Sequence, residues 1–334
     1  MQWYPVKKIF LFPSFFLFVF IVVEFSNSPG SESYDIYNNS ATEQTKIEYD
    51  LKKLLRIQKN RKKRIRNACR DAYGNLHGLH RKSLNMSSLD HVISVDQQHL
   101  LYCYVPKVAC TNWKRTLMIL SGKANTSNPL SILADDSHRP HVWKTLVNFT
   151  TSESQSRLEN YYKFMFVRHP FERLVSAYVN KFYQNYSDYF RFRYGRAIVQ
   201  SYRKNPTDEA LARGHDVTFS EFVQYLIDPK SREKGPFNEH WRPMHELCRP
   251  CHIKYDTIGK YETLLEDSWL VLENAQNNHE VGFPQIQKRS NVVVVKSYLS
   301  QITESQLKKL YKLYELDFRL FGYDFQVESN TNSL

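Results

Sequence analysis

Glycine is scarce in this chain, with ten in 334 residues, and the run G-x-x-x-x-G-K-[ST] is absent. Kinases and NTPases of the P-loop type wrap their phosphates with that glycine-rich turn, so a nucleotide kinase or NTPase is disfavoured. Cysteine is sparse too: Cys69, Cys103, Cys110, Cys248 and Cys251. The odd count allows at most two disulfides in an oxidising compartment and leaves one thiol over. Cys248-Arg249-Pro250-Cys251 has the spacing of a redox pair or half a zinc site, with His240, His245 and His252 nearby in sequence. The second cysteine pair of a structural zinc site is lacking, so no metal is expected. A local Cys248–Cys251 loop and a bridge to another cysteine both remain open. Acidic residues fall short of basic ones, 34 against 46, for a formal net charge of +12. No internal repeat is present.

Such a basic surplus asks for an anionic partner, and nucleic acid is the usual one. Two features point to the secretory pathway and away from nucleic acid. The first runs from Ile9 to Val23, fifteen uncharged and mostly apolar residues preceded by Lys7 and Lys8. As a helix it spans about 22 Å, short of the ~30 Å bilayer core. A cleaved signal peptide suits Ser26 and Ser28, but Pro29 follows directly and hinders cleavage. The reading adopted is a signal anchor over residues 9–25, a cytosolic tail over 1–8 and a luminal remainder. The second feature is five sequons, at Asn38, Asn85, Asn125, Asn148 and Asn185, which fit a glycosylated luminal protein.

What the chain does contain is organised around the stretch Leu100 to Leu120. An apolar, β-prone run from Leu100 to Val105 turns at Pro106-Lys107. Thr111 or Asn112 then caps a helix whose apolar residues fall at Trp113, Leu117 and Leu120, with Gly122 past its end. The free N–H groups of a helix start, together with a lysine in the turn, make an anion site. A second stretch repeats the plan. Tyr162 to Val167 reads as a buried strand, and Arg168 ends it. Pro170 opens a helix that carries Ser176 about two turns on. An arginine there can fork onto a phosphate to which the serine hydroxyl donates. Two such units in one parallel sheet put both anion sites at the carboxyl ends of the strands. With 42% hydrophobic and 14% aromatic residues, the chain can bury a substantial core around them.

These stretches, Pro106-Lys107-Val108-Ala109-Cys110-Thr111-Asn112 and Arg168-His169-Pro170-Phe171-Glu172-Arg173-Leu174-Val175-Ser176, resemble the two nucleotide motifs of Golgi carbohydrate sulfotransferases. The chondroitin/dermatan 4-O-sulfotransferase branch is the most similar. The resemblance extends from about Leu100 to Tyr323 and takes in Asn238-Glu239-His240-Trp241, Cys248 to Cys251 and Gly259-Lys260-Tyr261-Glu262. It implies an α/β, parallel-sheet, P-loop-like sulfotransferase fold with flanking helices, behind a membrane anchor and a stem. The stem would cover residues 26–90, the catalytic domain 91–326 and a loose tail 327–334. The resemblance also implies a donor, 3′-phosphoadenylyl sulfate (PAPS), held by 106–112 at its 5′-phosphosulfate and by 168–176 at its 3′-phosphate, with PAP as product. Family members often carry Glu where this chain has His169, a departure that leaves Arg168 and Ser176 in place.

Sulfuryl transfer shares the demands of phosphoryl transfer, an in-line path and charge building on the leaving oxygen. Lys107 is the candidate to neutralise that oxygen. The acceptor hydroxyl needs a base, and histidine suits it. His138, in the loop after the first helix, is the first candidate. His240 is the second, and His169 is read as structural. The implied acceptor is a glycosaminoglycan, at O4 of N-acetylgalactosamine in chondroitin or dermatan. A terminal sugar on a glycoprotein is an alternative, and a non-catalytic luminal polyanion binder is another.

Elsewhere, residues 26–45 read as a flexible stem, and Lys46 to Arg70 as a basic helix, either solvated or guiding a polyanion. Lys181 to Arg203 mixes aromatics and arginines, which suits sugar stacking or helix packing alike. His91 to Val95 reads as a short strand or turn. Helices are expected over Thr218–Asp228 and Thr263–Ala275, and a strand over Tyr255–Lys260. A capping box, Thr303-Glu304-Ser305-Gln306, opens a last helix.

Overall fold

The computed structural model describes residues 33–74, 84–184, 188–233, 235–275, 281–285 and 292–325, and for 33–49 the backbone alone. The anchor read at 9–25, the tail after 326 and the sequon at Asn185 lie outside the described residues, as does the Asn38 side chain. Among the described residues no helix is long and apolar enough to cross a membrane.

Among the described residues five strands form one sheet: β1 (Val92–Val95), β2 (Leu100–Cys103), β3 (Lys144–Thr145), β4 (Tyr162–Val167) and β5 (Thr257–Lys260), in the order β3-β1-β2-β4-β5. β2 with β4 and β4 with β5 run parallel, whereas β1 runs antiparallel to both β2 and β3. The sheet is therefore mixed, a correction to the parallel sheet implied above. The reason is local. Only residues 96–99 join β1 to β2, with His99 left-handed at φ 50°, and a parallel crossover needs a dozen residues or more. In the parallel part, Cys103 lies opposite Met165 and Val167 opposite Lys260. The chain thus leaves β2, β4 and β5 at the same edge. β2 is buried at every position and β4 at all but its first, as strands covered on both faces are.

The core has two parts. Around the sheet, Trp113 packs against Tyr102, Phe164, Phe166 and Phe283 at centroid distances of 4.8 to 5.9 Å. Gly259 on β5 is required there, because a Cβ would overlap the Phe166 ring. Around the helices, Trp241 packs against Phe190, Tyr194 and Phe222. The helices Phe219–Ile227 and Glu304–Phe321 start on the capping boxes Thr218–Glu221 and Thr303–Gln306. The expected segment Thr263–Ala275 is the helix Leu264–Asn274. Val292–Leu299, which the sequence left unassigned, is also helical.

A long helix spans Ser33–Tyr73, so residues 33–45, read as flexible, are helical. Pro29 and Gly30 are the last breakers before it, and none recurs until Gly74. The compact unit that holds the sheet begins at Tyr49 and so includes part of the segment read as stem. Gln58 is buried on β5, donating to Ile258 O at 3.2 Å and accepting from Ile258 N at 2.9 Å. Arg61 clamps Asp267 at 2.7 and 2.8 Å. Two disulfides, Cys69–Cys251 and Cys103–Cys248, exclude the local Cys248–Cys251 loop and leave Cys110 as the free thiol.

Candidate active site

The first corner follows β2. Lys107 and Ala109 take left-handed backbone conformations, φ 70° and 55°, and the helix Cys110–Leu120 begins on Ala109. The expected cap at Thr111 or Asn112 is therefore corrected. The left-handed turn starts the helix earlier than a side-chain cap would, and those side chains serve elsewhere. Thr111 Oγ1 lies 2.9 Å from His138 Nε2, and Asn112 Oδ1 accepts from Arg115. The first intrahelical bond from this turn is Trp113 N–H to Ala109 O at 3.1 Å. The N–H groups of Cys110, Thr111 and Asn112 precede it, where a helix receives anions. Val108 is buried and packs in the core rather than facing a ligand.

The second corner follows β4 with regular geometry. Pro170 sits in the first turn of the helix Pro170–Tyr178. Arg168 is buried and lies over the Tyr261 ring at 4.3 Å. Its Nη1 donates to Lys107 O at 3.3 Å, and its Nε to Glu172 at 3.3 Å. Arg168 precedes the helix, on which Glu172 and half-buried Ser176 follow one another at helical spacing on one face. Arg173 is fully buried. It donates to three carbonyls, Pro106 O at 3.0 Å, Glu239 O at 2.7 Å and Arg242 O at 2.7 Å. Phe171, Leu174 and Val175 are core residues. The His169 ring sits edge-on to Phe171, Phe318 and Tyr323, and its backbone N–H donates to Glu262.

Between these corners and the 238–241 segment lies a cluster of charge. Burial pushes the Lys114 and Lys181 ammonium groups below the ordinary lysine pKa. Lys114 also stands over the Tyr104 ring at 4.3 Å and Lys181 over Phe190 at 4.5 Å. Loss of water and then the Lys114 charge lower His138 to about 4. Burial, followed by Lys181 and Lys107 among the charges, lowers His240 to about 3. Glu239 is the counter-charge. Its burial would raise its pKa, but the hydrogen bond from His91 and the charges of His240, His91 and Lys114 bring it to about 2. His91 lies between Asp90 at 3.0 Å and Glu239 at 2.9 Å. Burial alone would lower its pKa, and the two carboxylates raise it instead.

The two candidate bases differ in their free lone pairs. Lys114 Nζ is 3.2 Å from His138 Nδ1. An ammonium only donates, so that lone pair is taken, and Nε2–H points to Thr111. His240 Nδ1 is 2.7 Å from Asn238 Oδ1, which also accepts from the His240 backbone N–H at 3.1 Å. The backbone donor fixes that atom as the oxygen, which can only accept, so Nδ1 carries the proton and Nε2 keeps its lone pair. The geometry favours His240 over His138, the reverse of the sequence order.

The sequence reading missed Lys114, Lys181, Glu239 and His91. Lys114 lies one turn beyond Cys110 and Thr111 on the anion-site helix, which was the available signal. The others converge only through the fold. The sequons at Asn85, Asn125 and Asn148 are exposed.

Partly desolvated cations that depress two histidines form a site in which added negative charge, such as that of a phosphorylated donor, is favoured. Among the described residues no group of metal-ligating side chains gathers. The sequence was also compared with known proteins. A family model described as "Sulfotransferase family" matches residues 90–324. "Carbohydrate sulfotransferase 11" of Mus musculus is 48% identical over 245 residues, 73% of this chain and 70% of that protein. "Carbohydrate sulfotransferase 14" of Danio rerio is 40% identical, covering 80% of this chain and 71% of its own length. For "Carbohydrate sulfotransferase 9" of Homo sapiens the figures are 36%, 81% and 61%. No solved structure gave a significant match.

Proposed function

The chain belongs to the sulfotransferase family, and from that premise we propose that it transfers the sulfuryl group of PAPS to a glycan hydroxyl, O4 of N-acetylgalactosamine in chondroitin or dermatan. The observation that carries this reading is the 3.3 Å contact from Arg168 Nη1 to Lys107 O. It makes the two anion corners neighbours on one edge of the sheet, where a single nucleotide with phosphates at both ends can reach both. The relatives named above support a carbohydrate as acceptor. A Golgi luminal setting, with residues 9–25 as anchor, belongs to the same proposal.

The chain's own residues divide the work. The N–H groups of 110–112 receive the 5′ end of the donor, and Lys107 neutralises charge on its bridging oxygen. Arg168, which must share its Glu172 contact, and Ser176 receive the 3′-phosphate. The acceptor oxygen bonds to sulfur as the bond from sulfur to the 5′-phosphate oxygen breaks, and PAP leaves. The acceptor's proton passes to His240 Nε2, whose basicity, lowered by burial and then by the Lys181 and Lys107 charges, the donor's negative charge restores by offsetting those charges.

The test is to incubate the full chain with sulfur-labelled PAPS and with desulfated chondroitin, desulfated dermatan or N-glycans. Label at O4 of N-acetylgalactosamine in the first two is expected. Label confined to N-glycans moves the acceptor to glycoproteins, and label in none overturns the reading.

A further inference from the structure

Residues 49–74 hold ten basic and two acidic residues, a surplus of eight within the chain's net +12. Their arrangement on the helix is not random. Lys52, Arg56, Lys59, Lys63, Arg66 and Arg70 recur every three or four residues. At 3.6 residues per turn they fall within about 40° of one line along the helix. All six are exposed. The opposite face carries the docking residues: Gln58 on β5, Arg61 on Asp267, buried Ile65 and Ala68, and the Cys69–Cys251 bridge. Neither Asp50 nor Asp71 falls on the basic line. An exposed helix ordinarily interleaves charges of both signs, because like charges one turn apart repel. From Arg56 to Arg70 the repulsion is kept, on a helix pinned covalently and by buried hydrogen bonds.

Beside the line runs a groove of about 340 Å³, within the ordinary range of ligand sites, roughly 300–1,000 Å³. Lys59, Lys62 and Arg66 line one wall, and Tyr162, Thr257 and Asn274 the other. The one carboxylate in it, Asp256, is paired with Lys163 at 3.3 Å. Tyr162 opens β4 and Thr257 opens β5, so the groove lies at the opposite end of the parallel strands from Arg168 and Tyr261. That separation is about 17 Å along β4 at ~3.3 Å per residue.

We propose that this basic line and its groove bind a second stretch of the acceptor, a linear acidic polysaccharide, remote from the sugar being sulfated. The proposal rests on the glycan reading above and extends it to the polymer. A line of cations along about 27 Å of helix matches a linear polyanion. The Tyr162–Thr257 hydroxyl pair, 2.6 Å apart, and the Asn274 carboxamide, whose Nδ2 donates to Leu270 O, offer sugar hydroxyls remaining acceptor positions that a plane of lipid headgroups would not use. A short oligosaccharide cannot touch both ends of the strands, whereas a long chain can.

The test uses the full chain with Lys59, Lys63 and Arg66 all changed to Gln. These side chains are exposed, and an unchanged melting temperature checks the fold. For long desulfated chondroitin KM should rise about tenfold, the scale of electrostatic steering. For a disaccharide, shorter than the separation along β4, KM should not move, and kcat should hold for both. Raising the salt should erase the difference. Donor-free wild type should bind the polymer, and the triple variant should lose that binding. The proposal is overturned if KM for the polymer is unchanged, if both acceptor lengths respond equally, or if the line binds phosphatidylserine vesicles but not the polymer. If no acceptor is sulfated, the enzymatic reading fails by itself. Donor-free polymer binding that the triple variant abolishes would still support this site.

Discussion

The two strand-to-helix corners look alike in sequence and differ in construction. The corner after β4 is relaxed: Pro170 fits a regular first turn, and Arg173 donates to carbonyls of other segments. The corner after β2 is held in a conformation its residues disfavour, with Lys107 and Ala109 left-handed. What holds it is the other corner. Arg173 donates to Pro106 O and Arg168 to Lys107 O, so two consecutive carbonyls of the first loop are pinned by the second motif. One corner presents chemistry, and the other carries it. The lesson is that a stretch proposed to hold the donor can be half scaffold. Arg173 lies among residues expected to bind nucleotide, yet it is fully buried and spends its donors on backbone.

Three changes separate these roles. Arg173→Met should have the largest effect. It leaves three carbonyls without a donor and should cost about 3–5 kcal/mol, as breaking a buried charged network does. Denaturant unfolding measures that loss, and activity should fall with it. Lys107→Ala should leave unfolding unchanged and lower kcat by roughly 10²–10³, the scale of removing one transition-state donor. If both variants lost stability equally, the division between chemistry and carrier would be broken. Ala109→Gly should be smallest. It relieves about 1–2 kcal/mol of left-handed strain and returns about 0.4–1 kcal/mol through a freer unfolded chain, so the melting temperature should rise slightly.

The pH dependence sharpens the same contrast, since Glu239 is braced by a histidine rather than an arginine. The His91 pKa is raised above 6.5 in the fold. Its contribution is complete below 6.5 and is lost as pH rises through the folded value. Glu239 is lowered from 4.5 to about 2, so its contribution is present above 4.5 and is lost as pH falls toward 2. The brace is therefore strongest between 4.5 and 6.5. His245, raised by Asp317, acts in the same direction as His91. Melting temperature against pH should decline above 6.5 in the wild type and less steeply in His91→Gln.

Much of this was legible because it is local. The strand Tyr162–Val167, Pro170 at a helix start and the Thr218 and Thr303 caps are written in a few adjacent residues. The failures were tertiary. Nothing near Lys114 or Lys181 in sequence says that folding will strip their water, and His91 meets Glu239 only because the 238–241 segment closes over β1's entry. Thr111 misled as a cap because a capping residue and a left-handed turn solve the same problem, and Ala109, which is not a glycine, gave no sign of the second solution. The basic residues of the first helix were visible. Their alignment and the Gln58 and Cys69 anchors behind them needed the fold.

Both disulfides end in one short segment, Cys248 to Cys251, with partners 145 and 182 residues earlier. During synthesis Cys69, Cys103 and Cys110 therefore emerge together, long before either correct partner exists. Any bond formed among them in that interval is a wrong one that must later be exchanged. The chain's yield in a cell should accordingly follow the supply of disulfide isomerase, and Cys110→Ser should relax that dependence by removing the one thiol with no bond waiting for it.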